Sequence, residues 1–128
     1  MNIMVVEEGQ SALVFVSHTL EALGAKIVMS PTLDEDKIFT HKVDAVLHLW
    51  SSFTADIARV QLQNMREADP NLVVILFARA EEVPFLRREF KGMLVADVHA
   101  LEAAQAGRTA GAILKEVRAR RPTLAAAA

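Results

Sequence analysis

Apolar and polar positions along this chain follow two alternating rhythms. Five short runs, at residues 3–6, 26–29, 45–49, 72–77 and 93–95, are dominated by Val, Ile, Leu and Met with little alternation, and polar, Gly or Pro residues bound them. A run too short for a helix and apolar at consecutive positions is the pattern of a strand covered on both faces, as parallel strands are. Five buried parallel strands are predicted.

The segments between them have helical spacing. In residues 11–23, Leu13, Val16, Leu20 and Leu23 recur every three or four positions, and Gly24 supplies a stop. Residues 31–41 open on Pro31 and Thr32 and place Asp34, Glu35 and Asp36 where the helix dipole favours negative charge. Residues 54–68 put Ala58, Leu62 and Met65 on one face and end at Asp69-Pro70. A short fourth helix, 83–91, has Pro84 in its first turn, Leu86 and Phe90 four apart, and Gly92 as its stop. The last, 100–121, finishes in Arg118, Arg120 and Arg121, cations suited to the negative end of the dipole.

Five strand–helix repeats imply an α/β fold, a three-layer αβα sandwich around a five-stranded parallel sheet of order 2-1-3-4-5, the flavodoxin-like and receiver arrangement. With 128 residues, 52% of them hydrophobic, the chain has the size and the core of one domain. That domain is read over residues 1–121, with 122–128 as a tail, either a linker or a cloning scar.

Charge and composition narrow the partners. Fourteen basic residues against sixteen acidic ones give a net charge of −2 with no basic stripe, so no direct nucleic-acid partner is expected. The absence of cysteine excludes disulfides and thiolate metal sites. No signal-peptide pattern and no apolar stretch of membrane-spanning length stand in the sequence, and a soluble cytoplasmic protein without a membrane partner is the expectation. No Gly-rich turn follows any strand, which excludes the dinucleotide fingerprint and the phosphate loop. Asp97-Val98-His99 has the start of a cobalamin-binding element but follows the wrong strand and lacks its glycine.

In a doubly wound sheet the place for chemistry is the crevice at the carboxyl ends of the strands. There the sequence has Glu7-Glu8 after the first strand, Asp44-Ala45-Val46-Leu47-His48-Leu49 for the third, Phe77-Ala78 closing the fourth and Ala96-Asp97 closing the fifth. With the Leu-Glu-Ala-Leu-Gly helix end before the second strand and the order of all five, the chain resembles an atypical response regulator receiver domain of the chemotaxis-regulator superfamily. The resemblance runs from Met1 to about Arg121, with a shortened fourth helix.

That family implies a magnesium-dependent phosphoryl transfer to an aspartate, held by paired acids, a hydroxyl and a lysine. Carried over by position, the acids are Glu7 and Glu8, the acceptor is Leu49, the hydroxyl position is Phe77 and the lysine position is Ala96. The proline after the lysine becomes Asp97, and the aromatic residue of the fifth strand becomes Met93. Leucine offers no nucleophile, phenylalanine no hydrogen bond and alanine no charge, so the resemblance implies a pseudo-receiver that is no enzyme. Two carboxylates without a third give no octahedral Mg²⁺ site, so no metal or cofactor is expected and Glu7 and Glu8 read as solvated surface carboxylates.

What remains is a surface. Trp50 and Phe53 follow the third strand and, with Phe77, could converge on the crevice; Trp50 and Phe53 are read either as a docking patch or as filling of the vacant pocket. Arg87 and Arg88, with Glu89 and Lys91, charge the fourth helix. Ala103, Ala106, Gly107, Ala110 and Gly111 would let a neighbouring helix approach the fifth, or let it pack closely on its own sheet. In the resembled family the fourth helix, fifth strand and fifth helix form the pairing face, which implies a homodimer, another protein partner or an output domain. His48, one residue from Leu49, should face the opposite side of the sheet, packed under a helix. The rival reading is a flavodoxin-like sensor or enzyme domain with a small ligand in the same crevice, lined by Phe77, Leu49 and Trp50.

Overall fold

A computed structural model describes residues 1–7, 12–51 and 55–121. Five strands, β1 (Asn2–Val6), β2 (Lys26–Ser30), β3 (Ala45–Leu49), β4 (Val73–Ala78) and β5 (Leu94–Asp97), alternate with α1 (Val14–Ala22), α2 (Glu35–Thr40), α3 (Ala55–Ala68), α4 (Val83–Glu89) and α5 (Ala106–Arg120). All pairings are parallel and the order is β2-β1-β3-β4-β5, as the sequence predicted.

Side-chain alternation along each strand divides the core in two. Ile3, Val5, Leu47, Ile75 and Phe77 meet Leu13, Val16 and Leu20 of the α1 segment and Ala110, Ile113 and Val117 of α5. Met4, Val6, Val46, Val74 and Leu76 meet Ile38 of α2, Ala58, Leu62 and Met65 of α3, and Leu86 and Phe90 of the α4 segment. One face therefore carries α1 and α5 and the other α2, α3 and α4. Phe77 and Leu62 are wholly buried, and a side chain of that size contributes on the order of 2 kcal/mol by leaving water.

Helix ends follow local chemistry, and some differ from the sequence reading. Gly24, at φ +98°, ends α1, with its N–H on the Glu21 carbonyl and that of Ala25 on Leu20, a left-handed turn only glycine enters freely. Leu23, expected on the buried face, is instead half exposed because it lies in that turn. The second helix starts later than Pro31: Asp34 caps it by accepting from the Lys37 N–H at 3.1 Å. The last helix starts six residues later than expected. Asp97 accepts the His99 N–H at 2.9 Å and opens a 3₁₀ turn over Val98–Leu101, and after a second turn at Ala103–Gln105 the α-helix begins. The predicted first residues of the first and third helices, Ser11 and Thr54, lie outside the described residues.

β5 is an edge strand, and arginines occupy its approach. Arg87 donates through Nε and Nη2 to the Val95 carbonyl at 3.3 and 3.1 Å, while Arg66 and Arg120 donate to the Gly92 carbonyl at 2.9 and 3.1 Å. Occupied carbonyls and charge both discourage pairing with a foreign strand.

Replacing Asp34 with Ala removes the side-chain cap of α2 and should cost about 1 kcal/mol, read as a lower denaturation midpoint with an unchanged slope. Unaltered stability would mean that the cap contributes nothing.

Candidate functional site

The positions singled out at the strand ends form one transverse row. Leu49 is the Cα partner of Phe77, and Phe77 of Ala96. Val6 partners His48, so Glu7 follows at the level of Leu49. Leu49, Phe77 and Ala96 all point to the α1/α5 face and pack there, Phe77 with no exposed surface and the other two partly buried. The row is a continuation of the hydrophobic core.

Glu7 is the one charged member of the row among the described residues. Its carboxylate accepts the N–H of Ala12 and, at 3.2 and 3.3 Å, that of Leu13, the amides that lead into α1. Leu13, at the N-cap position of α1, has no side chain that can cap it. A carboxylate at a helix start satisfies orphan donors and lies at the favourable end of the dipole. The reading of Glu7 as a solvated carboxylate is thereby corrected, and Glu8 lies outside the described residues. Among the described residues no three His, Asp or Glu side chains are grouped so as to hold a metal ion.

Trp50 does not join Phe77. The two lie on opposite faces, since Trp50 falls one residue past Leu49 and shares the side of His48. Its indole is 9% exposed and packs edge-on against Phe90 of the α4 segment, with ring centroids 5.5 Å apart and planes at 67°. Its backbone N–H donates to the Phe77 carbonyl at 2.8 Å. Of the two readings of Trp50, packing is what the structure shows, and the convergence of Trp50 with Phe77 is corrected. Phe53 lies outside the described residues.

His48 is buried, 7% exposed, and its ring stands 6.3 Å from that of Trp50. Burial pushes its pKa down from 6.5 to about 4, outweighing a hydrogen bond to the Leu49 backbone that acts the other way. The imidazole is neutral at physiological pH. Sequence reasoning placed it on the correct face but gave no sign that it borders a cavity.

On the other candidate surface Arg87 and Arg88 are both exposed, and Arg87 also donates to the Val95 carbonyl. Between α4 and α5, a groove of about 510 Å³ runs along β5, lined by Met93, Val95 and Ile113 with Arg108 and Glu116 at its margin. On α5 the small residues divide: Ala106 and Ala110 are buried against the sheet, while Gly107 and Gly111 face outward with open space where a side chain would be. Among the described residues no helix is long and apolar enough to cross a membrane.

Two outcomes test this arrangement. Truncating Trp50 to Ala should cost about 3 to 5 kcal/mol, seen as a large fall in melting temperature, because a packed indole is lost; a nearly unchanged melt would place Trp50 at the surface. The second concerns pH. Folded His48 titrates near 4 against 6.5 for an unperturbed imidazole, so between those values the unfolded chain binds more protons. Stability should therefore fall as pH drops from about 6.5 towards 4, by at most about 3 kcal/mol from this group. His48→Phe should flatten that part of a pH–stability profile, and an unchanged slope would mean that His48 titrates normally.

No protein-family model and no curated protein matches the sequence. Solved structures match the fold. A response regulator receiver protein from Sinorhizobium medicae WSM419 superposes with a TM-score of 0.62 over 94% of this chain and 96% of its own, at 14% identity. A response regulator receiver domain protein from Clostridium thermocellum gives 0.63 over 95% and 98%, at 13% identity. A response regulator from Thermotoga maritima gives 0.60 over 86% and 97%, at 18% identity. The fold of this chain is that of receiver domains.

Proposed function

We propose that the chain is a phosphorylation-independent receiver-like module that acts by binding a protein, either as a free-standing adaptor or joined to an output domain. The observation that carries this reading is the row at the strand ends. Phosphoryl transfer to a carboxylate needs a nucleophile, a counter-ion for the metaphosphate-like transition state and oxygen ligands for Mg²⁺. Here the acceptor position is Leu49, the neighbouring positions are Phe77 and Ala96, and the Glu7 carboxylate is engaged with the amides that lead into α1. Among the described residues nothing in that row supplies the missing groups.

The binding face proposed is α4, β5 and α5. What supports it is the groove along β5, apolar on its floor and charged at its margin, together with Arg88 and the outward-facing Gly107 and Gly111. An apolar centre with a charged rim is the make-up of a specific interface. The occupant proposed is a second copy of the chain, with a heterologous partner or output domain as the alternative. Without phosphorylation, control rests on how much partner is present and how tightly it binds.

Incubation with Mg²⁺ and acetyl phosphate should leave the intact mass of the protein unchanged, and Leu49→Asp alone should not restore labelling, because Phe77 and Ala96 remain. A stoichiometric, acid-labile phospho-adduct on the unaltered chain would overturn the reading. For the face, sedimentation equilibrium should show a dimer that Met93→Asp weakens about tenfold or more. A monomer at all concentrations would exclude the second copy as the occupant.

A further inference from the structure

The two edges of the sheet are finished differently. At β5 arginines occupy backbone carbonyls of the edge, whereas β2, the opposite edge, pairs only with β1 among the described residues. Lys26 donates its N–H to the Met1 carbonyl at 2.9 Å and the Ser30 carbonyl accepts the Glu7 N–H at 3.1 Å, so Lys26, Val28 and Ser30 are the positions that bond β1. The N–H and C=O groups of Ile27 and Met29 therefore point out of the sheet, with no backbone partner among the described residues. Such a row of donors and acceptors pairs with another strand unless something blocks it. Nothing in β2 does. Its register with β1 is continuous, it contains no proline, and its one charged residue, Lys26, stands at its first position.

A groove of about 390 Å³ runs beside that edge, between β2 and α1. Val14, Ile27 and Met29 give it an apolar wall, and Met29 is 59% exposed. Its other lining residues are Glu7, Ser17, His18 and Glu21, with no lysine or arginine. The Glu7 carboxylate is held by the amides of Ala12 and Leu13, whereas Glu21 is exposed and has no ion pair among the described residues. Lys26 does not answer that charge, because alternation puts it on the face of Val28, which packs on the other side of the sheet.

We propose that β2 takes up an extended segment of a partner protein as an added antiparallel strand, with an apolar residue and, two positions later, a lysine or arginine facing α1. In an antiparallel pair, residues directly opposite can exchange both hydrogen bonds, and they share a face. The two residues opposite Met29 and Ile27 thus bond the outward amides and also enter the groove, the apolar one covering Met29 and the cation reaching Glu21 near the start of β2. Main-chain bonds supply affinity in this mode and the alternate side chains supply selectivity. A second copy of the chain is the poorer occupant, since its α1 and β2 bring Glu21 again and no cation on that face. The surface rests on the protein-binding reading of the chain but lies at the opposite edge from α4, β5 and α5, and it does not depend on the proposed dimer.

The probe is the blocked peptide acetyl-Thr-Val-Thr-Lys-Thr-amide, titrated into the full chain and followed through amide chemical shifts. Saturable shifts at Ile27, Val28 and Met29 are expected, with slowed hydrogen exchange of the Ile27 and Met29 amides. Methylating the peptide nitrogens of Val and Lys should abolish binding, because those face β2, while methylating the nitrogen of the central Thr should leave it. Glu in place of the peptide Lys should weaken binding about fivefold or more, and Glu21→Lys should reverse that preference. Met29→Pro removes only an outward N–H and should block the peptide while the melting temperature stays near that of the unaltered chain. Absence of saturable shifts, equal binding of the two methylated peptides, or equal binding of the Lys and Glu peptides would overturn the proposal. If either variant fails to fold, the peptide series on the unaltered chain decides it. A negative result strikes the β2 edge alone, because the acetyl phosphate and sedimentation outcomes are read at other residues.

Discussion

Helices cover both faces of the sheet, so each strand must satisfy two apolar layers at once. Consecutive positions along β1, β3 and β4 are therefore nearly all apolar, and the layers they feed are closed by α1 and α5 on one side and by α2, α3 and α4 on the other. In this chain the requirement extends to the last residues of the strands, where Leu49 and Phe77 carry the core up to the mouth of the crevice. The charge left in that row, on Glu7, is then bound to backbone donors nearby, and the amides leading into α1 supply them.

That constraint explains which parts were legible in the sequence. Strand number and burial on both faces followed from the apolar runs, because dense Val, Ile and Leu at consecutive positions has few other meanings, and the order followed from the usual winding of five strand–helix repeats. The α3 face of Ala58, Leu62 and Met65 was equally plain, since its spacing matches one helical stripe. Boundaries set by side chains reaching backward or forward were not. Asp34 moved the start of α2, and Asp97 turned the start of the last helix into 3₁₀ geometry; neither leaves a mark in periodicity.

The candidate site was half legible for a related reason. The strand-end positions were carried over from the resembled family, and Leu49, Phe77 and Ala96 do fall in one row. Trp50 lies one residue past the strand, where alternation no longer binds a side chain to a face, so its packing against Phe90 needed the fold. The engagements of Glu7 with Leu13, and of Arg87 with Val95, join segments through turns whose shape no local pattern encodes. The cavity beside His48 is a still more distant product, assembled from β1, β3, the turn after β2 and α3.

The central proposal is that the strand-end row, in its described residues, is core and helix cap and offers no seat for a phosphoryl group or its metal. The most direct measurement is an amide-resolved titration with Mg²⁺ to about 10 mM, well above the range in which a preorganised carboxylate site would saturate. The account predicts no saturable shift at Ala12, Leu13, Leu49 or Ala96, because the Glu7 carboxylate stays on the amides that lead into α1. Saturable shifts at those residues would show Glu7 released to a metal ion, and would contradict it.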